Sequence, residues 1–239
     1  LVDTQNLRRI ADQFASRETG HFVVATTHTQ ARYALPTIIK WFKSDYPKVH
    51  LALHQGSPKE IADMLTSGAA DVGIATEGLD ESPEIATFPF YRWHHAVIVR
   101  KDHPLLRAGA VTLEALGEYP IITYHEGFTG RAHVDKAFAD AGIVPDIVLS
   151  AIDADVIKTY VDLDLGVGII ASMAYDADKD RNLSLIPVPE LFPSNTTRLA
   201  VRRGTYLRSY AYAFIEKVCP DVGEEAVRAA LSKQNGSDS

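Results

Sequence analysis

A single cysteine, Cys219, stands in 239 residues, which excludes an internal disulfide framework and any zinc cluster built on cysteine alone. Long apolar runs are absent too: no stretch approaches the roughly 18 residues that would suggest a membrane span. No basic segment leads into an apolar one at the start of the chain, so no signal peptide is visible. The chain therefore reads as cytoplasmic, with no membrane partner. Cations are the minority charge, 24 Lys and Arg against 31 Asp and Glu, for a formal net charge of −7. That balance argues against these residues gripping a phosphate backbone themselves, which takes clustered cations. The motifs of common catalysts are missing: there is no GxxxxGKS/T phosphate loop, no GxSxG elbow and no HExxH zinc helix. Gly166-Val167-Gly168 lacks the third glycine of a dinucleotide fingerprint and reads as a turn into a buried strand. His94 and His95 stand side by side on an expected strand, pointing to opposite faces, and the nine histidines show no metal-ligand spacing. No catalytic residue, metal or cofactor is expected.

What is present is an ordinary globular composition, 46% hydrophobic and 23% charged, on a chain long enough to bury a sizeable core. Leu7, Ile10, Ala11 and Phe14 follow the spacing of an amphipathic helix that Gly20 stops. That helix is either a packing helix at a domain edge or the end of a tether to a domain outside this chain. Beyond it, strand-like and helix-like stretches alternate, the signature of an α/β fold with largely parallel sheets. Strands are expected at 22–25, 49–54, 71–75, 85–91, 95–99, 121–124, 147–151, 168–171, 183–187 and 198–202. Helices are expected at 30–45, from Pro58 to Gly68, and at 112–117, 130–141, 154–163, 206–218 and 224–231, with Pro36 kinking or shortening the first. Ser57, Pro58 and Glu60 form a capping box with proline at the first helical position. Residues 233–239 are polar and expected to be disordered. No long Pro/Ser-rich linker separates two consecutive domains, yet a strand–polar loop–helix unit recurs, Val23-Val24 into Thr26–Gln30 and Ile121-Ile122 into His125–Arg131. Two Rossmann-like α/β lobes, with the chain crossing between them near 91–95 and again near 194–198, account for both facts. Lobe I would hold residues 20–91 and 197–232, and lobe II residues 92–196. Ligands in open α/β sheets sit at the carboxyl ends of strands, so facing lobes would enclose a cleft there.

The most unusual polar segment is Thr26-Thr27-His28-Thr29-Gln30, between an apolar strand and a helix. A helix start attracts anions through its unpaired N–H groups, and threonine hydroxyls and a glutamine amide add neutral donors. One cap accounts for one threonine, not for three with Gln30. Thr129-Gly130-Arg131 repeats the arrangement, although Thr129 alone would serve as a cap. Thr76, at the end of a strand, and Ser57, already a cap, bring further hydroxyls to the same edge. Trp93, near a crossing, either walls the cleft or packs as a lobe-interface aromatic. His28 and His125 fall in candidate ligand loops. A sulfate dianion is acceptor-only and is satisfied by donors alone, whereas a protonated or amino-bearing ligand calls for an acceptor such as Glu77 or Glu126. Hydrogen bonds to a charged group contribute about 1.5–3 kcal/mol each before ordering costs, so four or five imply roughly micromolar to millimolar binding. Binding of a small metabolite fits these loops better than catalysis.

The stretches Ala25–Pro36 (ATTHTQARYALP), His54–Pro58 (HQGSP), Asp71–Glu77 (DVGIATE), Gly127–Arg131 (GFTGR), Asp153–Tyr160 (DADVIKTY), Gly166–Met173 (GVGIIASM) and Leu207–Tyr210 (LRSY) resemble the effector-binding part of LysR-type transcriptional regulators. More narrowly, they resemble the CysB/Cbl branch, which controls sulfur assimilation and cysteine biosynthesis. The resemblance runs in family order over about residues 20–218. It implies two lobes like those of type 2 periplasmic binding proteins, and an N-terminal winged helix-turn-helix outside this chain, joined through a linker helix that ends over residues 1–19. It also implies that DNA is met only through that missing domain, and that the domain dimerises within a homotetramer. The family's anion site maps onto Thr27, Thr29, Gln30, Thr76 and Thr129, and the implied effectors are sulfate, acetylserine, thiosulfate or adenosine phosphosulfate. His125-Glu126, and Asp162 with Asp164, depart from the family pattern. The rival readings are a free-standing solute-binding protein for an oxyanion and a two-lobed enzyme.

Overall fold

A computed structural model of the chain describes residues 19–232. The amphipathic segment expected at the start and the polar tail expected over 233–239 lie outside the described residues. Strands β1 (Gly20–Thr26), β2 (Val49–Gln55), β3 (Val72–Ala75), β4 (Ile85–Trp93) and β10 (Asn195–Arg202) form one sheet in the order β2-β1-β3-β10-β4. Strands β5 (His95–Arg100), β6 (Ile121–Tyr124), β7 (Ile147–Ala151), β8 (Val167–Ala171) and β9 (Leu183–Pro187) form the other in the order β7-β6-β8-β5-β9. The recurring unit of the sequence is the recurring unit of the fold. β1 and β6 hold the same place, each flanked by two parallel neighbours. The sheets are mixed, however, not largely parallel. β10 runs antiparallel to β3 and β4, and β5 antiparallel to β8 and β9. Each sheet thus contains a strand that follows a passage from the other sheet, and these strands run against the parallel core. The two passages lie together, since Trp93 pairs with Asn195. His94 sits between β4 and β5 rather than on a strand, exposed beside a buried His95.

Helices cover both faces of the first sheet. On one face α1 (Pro36–Asp45) and α6 (Ser209–Val218) bring Phe42, Tyr210 and Phe214 against Phe22. On the other, α2 (Pro58–Ser67) lays Ile61 and Leu65 against Ala25 and Ala75. It packs so closely that a Cβ on Gly73 would stand 2.7 Å from Leu65 and 2.8 Å from Ile61. The capping box of α2 is formed: Glu60 N–H donates to Ser57 Oγ (3.2 Å) and Ser57 N–H to Glu60 Oε2 (2.7 Å). Such a cap stabilises a helix by about 0.5–2 kcal/mol. Gly68 ends the helix in the left-handed conformation, as expected. The second sheet carries α3 (Leu113–Gly117), α4 (Arg131–Asp140) and α5 (Ala154–Asp162), and α7 (Glu224–Ser232) returns to the first core.

Two helices differ from the sequence reading. The helix expected over 30–45 is split: Gln30–Ala34 is a π-helical turn, closed by Leu35 N–H donating to the Gln30 carbonyl (3.0 Å), and α1 begins at Pro36. Proline has no N–H to return to Arg32, so one ladder cannot run through it. The helix expected from Tyr206 starts at Ser209 with Arg208 as its cap, leaving Tyr206 exposed. No helix among the described residues is long and apolar enough to cross a membrane.

Candidate functional site

The polar turn that follows β1 is buried almost completely: Thr27 is 4% exposed, Thr29 0% and Gln30 1%. Facing it is the loop between β6 and α4, where Thr129 is 3% exposed. The two meet across the lobes, with the Thr29 and Thr129 hydroxyls 3.2 Å apart and sharing one hydrogen bond. One residue on, Gly130 N–H donates to Glu77 Oε1 from the loop after β3. Consecutive residues of one lobe therefore hold two adjacent strand ends of the other.

Local conformation explains why these residues take these positions. Thr129 has φ +46 and Gly130 φ +70, so the loop turns left-handed twice in a row. At Gly130 only glycine fits, since a Cβ would run into Asn195 and lie 2.7 Å from His95. Thr129 does not cap α4, whose start carries no side-chain cap, so the bland reading of this threonine fails. Its carbonyl instead accepts from His95 Nε2 (3.0 Å). Burial pushes the His95 imidazole down to about 4, and the neutral ring, with its proton on Nε2, offers Nδ1 to Asn195 Nδ2 at 3.4 Å. His95 and Asn195 begin the two strands that follow the passages between sheets, so the loop is anchored on the hinge.

Gln30 is oriented by Tyr91, whose hydroxyl donates to Gln30 Oε1 (2.6 Å), leaving the Nε2 donors without a partner. Thr76 stands at the end of β3, half-buried, its hydroxyl 3.3 Å from that of Thr197. Trp93 does not wall open space. It is 4% exposed, donates Nε1 to Thr197 Oγ1 (3.1 Å) and packs edge-on against His95, so it is a core aromatic of the hinge. Arg131, buried beside the loop, spends its guanidinium on the Tyr124 carbonyl (2.6 Å) and Asp135 (2.7 Å). The donors left at the centre of the cleft are neutral, as suits an anion held by hydroxyls and amides.

The remaining expected residues fall elsewhere. Ser57 keeps its capping role and lines a cavity of about 550 Å³ with Lys59, Glu77, Glu81, Glu126 and Phe128 at the edge of the cleft. His28 is partly exposed and bonds Gln55 Oε1 through Nδ1 (3.0 Å), away from the threonine pair. It lies near Asp153 and Asp155, a trio of possible metal ligands. Asp153 caps α5, and Asp155 is already held by Arg32 (2.9 Å), Tyr33 (2.8 Å) and Lys158 (3.1 Å). His125 is exposed and turned to its neighbour's carbonyl. Cys219 is buried and free, its thiol pushed up to about 12 by burial, which suits a packing role. Sequence reasoning missed the Tyr33–Asp155 bond between lobes and the hinge trio of Tyr91, His95 and Asn195. Tyr33 and Asp155 lie inside two of the matching stretches, ATTHTQARYALP and DADVIKTY. Nothing local marks the hinge trio, whose partners are 61, 34 and 100 residues away.

Residues 15–218 match the family of LysR substrate binding domains. The HTH-type transcriptional regulator SsuR of Burkholderia cenocepacia is 56% identical over 231 residues, covering 97% of this chain and 75% of that protein. CysB of the same organism is 48% identical, with coverage of 97% and 74%. The regulator Cbl of Escherichia coli K12 is 47% identical, with coverage of 90% and 68%. Among solved structures, the cofactor-binding domain of the Cbl transcriptional regulator superposes with a TM-score of 0.88 at 44% identity, over 90% of this chain and 95% of that one. The effector binding domain of QuiR in complex with shikimate, 19% identical with a TM-score of 0.75, shares the fold. These relatives are transcriptional regulators and not enzymes. The chain belongs to the LysR substrate-binding domain family, in the group that holds SsuR, CysB and Cbl.

Proposed function

We propose that this chain is the ligand-sensing domain of a cytoplasmic regulator of sulfur assimilation and cysteine biosynthesis genes. It closes lobe I (residues 20–91 and 197–232) and lobe II (92–196) on sulfate or a related sulfur-pathway metabolite, namely acetylserine, thiosulfate or adenosine phosphosulfate. The observation that carries this reading is the buried contact of Thr29 with Thr129 from opposite lobes, beside a Gln30 amide with no protein partner. An acceptor-rich anion beside the pair would take a hydrogen bond from each hydroxyl in place of the one they share, so its binding draws on both lobes at once. The full regulator would meet DNA through an N-terminal domain, in keeping with the −7 charge of this chain. Self-association is supported by the outer strands β2 and β7, whose free edges expose Leu53 and Val148. Titration calorimetry at fixed ionic strength, with sulfate, thiosulfate, O-acetylserine, N-acetylserine and adenosine phosphosulfate, tests the reading. At least one should saturate between micromolar and millimolar; binding of none would remove the sulfur assignment.

A further inference from the structure

The polar atoms of the cleft do not pair off completely. Gln30 Nε2 is a buried donor without a partner, and Glu77 Oε2 a buried acceptor without one, while its twin Oε1 takes the Gly130 N–H. Leaving a buried polar group unpaired costs about 1–3 kcal/mol, so each points to something that would satisfy it. The two are of opposite kind and close in the fold. They follow β1 and β3, parallel neighbours with Thr26 paired to Ile74, and their loops touch consecutive residues of the other lobe, Thr129 and Gly130.

We propose that Glu77 sets the ligand specificity of this cleft. The anionic head of the ligand is taken by Thr27, Thr29, Thr129 and the Gln30 amide, and a hydrogen-bond donor on the same ligand is given to Glu77 Oε2. The preferred occupant is then a small carboxylate that carries its own N–H or O–H donor, and an acceptor-only oxyanion such as sulfate binds only together with a proton on Glu77. The inference rests on the cleft being the effector site.

An ionised Glu77 would face a sulfate dianion with a like charge and two acceptors in opposition; a protonated Glu77 becomes a donor to it. Burial pushes this carboxyl up to about 7, against the pull of the Gly130 N–H, so the proton is within reach near neutral pH. The charged groups lining the same cavity are Lys59 on α2, Glu81 in the loop after β3 and Glu126 in the loop after β6, two carboxylates against one ammonium. His95, beneath Thr129, is neutral. The sign follows. Sulfate affinity is full below about pH 7 and falls above it, towards tenfold per unit for one linked proton. A ligand that donates to the carboxylate binds as well or better on the alkaline side.

Calorimetric titration of the 239-residue chain with sodium sulfate and with N-acetylserine, at pH 6, 7 and 8 in two buffers of different ionisation enthalpy, reads this directly. Sulfate should bind with uptake of nearly one proton at pH 8 and lose several-fold in affinity from pH 7 to 8; N-acetylserine should take up none. Glu77→Gln should flatten the sulfate profile and tighten sulfate at pH 8. The wild-type proton count keeps the test decisive if that variant folds poorly. Sulfate binding without proton uptake, at constant affinity, would overturn the role of Glu77 and leave the cleft as the effector site. Failure of both probes at every pH would overturn both.

Discussion

Replacing Thr129 by glycine is expected to lower effector affinity about ten- to hundredfold while the unliganded protein keeps its stability to within about 1 kcal/mol. The affinity loss follows from deleting one hydroxyl donor to a charged ligand, about 1.5–3 kcal/mol, at 1.4 kcal/mol per tenfold. The stability result comes from two opposed effects. Thr129 is held at φ +46, which costs a β-branched residue on the order of 1–3 kcal/mol, and glycine relieves it. The same change removes the bond to Thr29, a net contribution of about 0.5–1.5 kcal/mol, and adds glycine's larger unfolded-state entropy. Under the proposed function, a strain that the bond to Thr29 roughly offsets is retained because Thr129 serves the ligand. Thermal melts of the free protein with calorimetry of its ligand check both halves. Unchanged affinity in Thr129→Gly would remove the residue from the site.

Phe22→Ala should do the reverse. Phe22 is fully buried on β1, an inner strand of the first sheet, with Phe42, Phe214 and Tyr210 at ring-centroid distances of 5.2, 5.1 and 5.7 Å. Truncation leaves a cavity walled by rings that cannot collapse into it, at a cost of about 3–5 kcal/mol. For a domain of this size that corresponds to a fall in Tm of roughly 6–20 °C. The site lies at the other end of β1, so the protein that stays folded should bind effector with nearly parental affinity. A melting curve moved by less than a few degrees would contradict this account of the core.

The features legible in sequence were those whose causes are local. Ser57, Pro58 and Glu60 specify a helix start within four residues, and it formed as read. β6, β7 and β9 carry the expected ends, because short stretches rich in Ile, Leu and Val follow Pro120, Asp146 and Asn182 there. Thr27, Thr29 and Gln30 stood out as candidates because polar residues cluster there between a strand and a helix without one cap to account for them, whereas Thr129 could not be told from an ordinary cap until its left-handed conformation was seen. Strand direction was not legible, since β5 and β10 are antiparallel only by virtue of where the chain passes between sheets. Trp93 was ambiguous, and His95 unmarked, for the same reason. Each lies beside a passage, and the partner that fixes it, Thr197 or Thr129, is distant in sequence. The break before Pro36 was visible, but its form, a π turn that aims Gln30 inward, depends on Tyr91 reaching across.

The central claim is that loops from the two lobes hold one anion between them. Backbone amide resonances followed during a sulfate titration test it most directly. The account predicts that Thr27, Thr29 and Gln30 of one lobe, and Thr129 and Gly130 of the other, shift together with a single midpoint and saturate. Shifts confined to one lobe, or scattered over surface lysines without saturation, would contradict it.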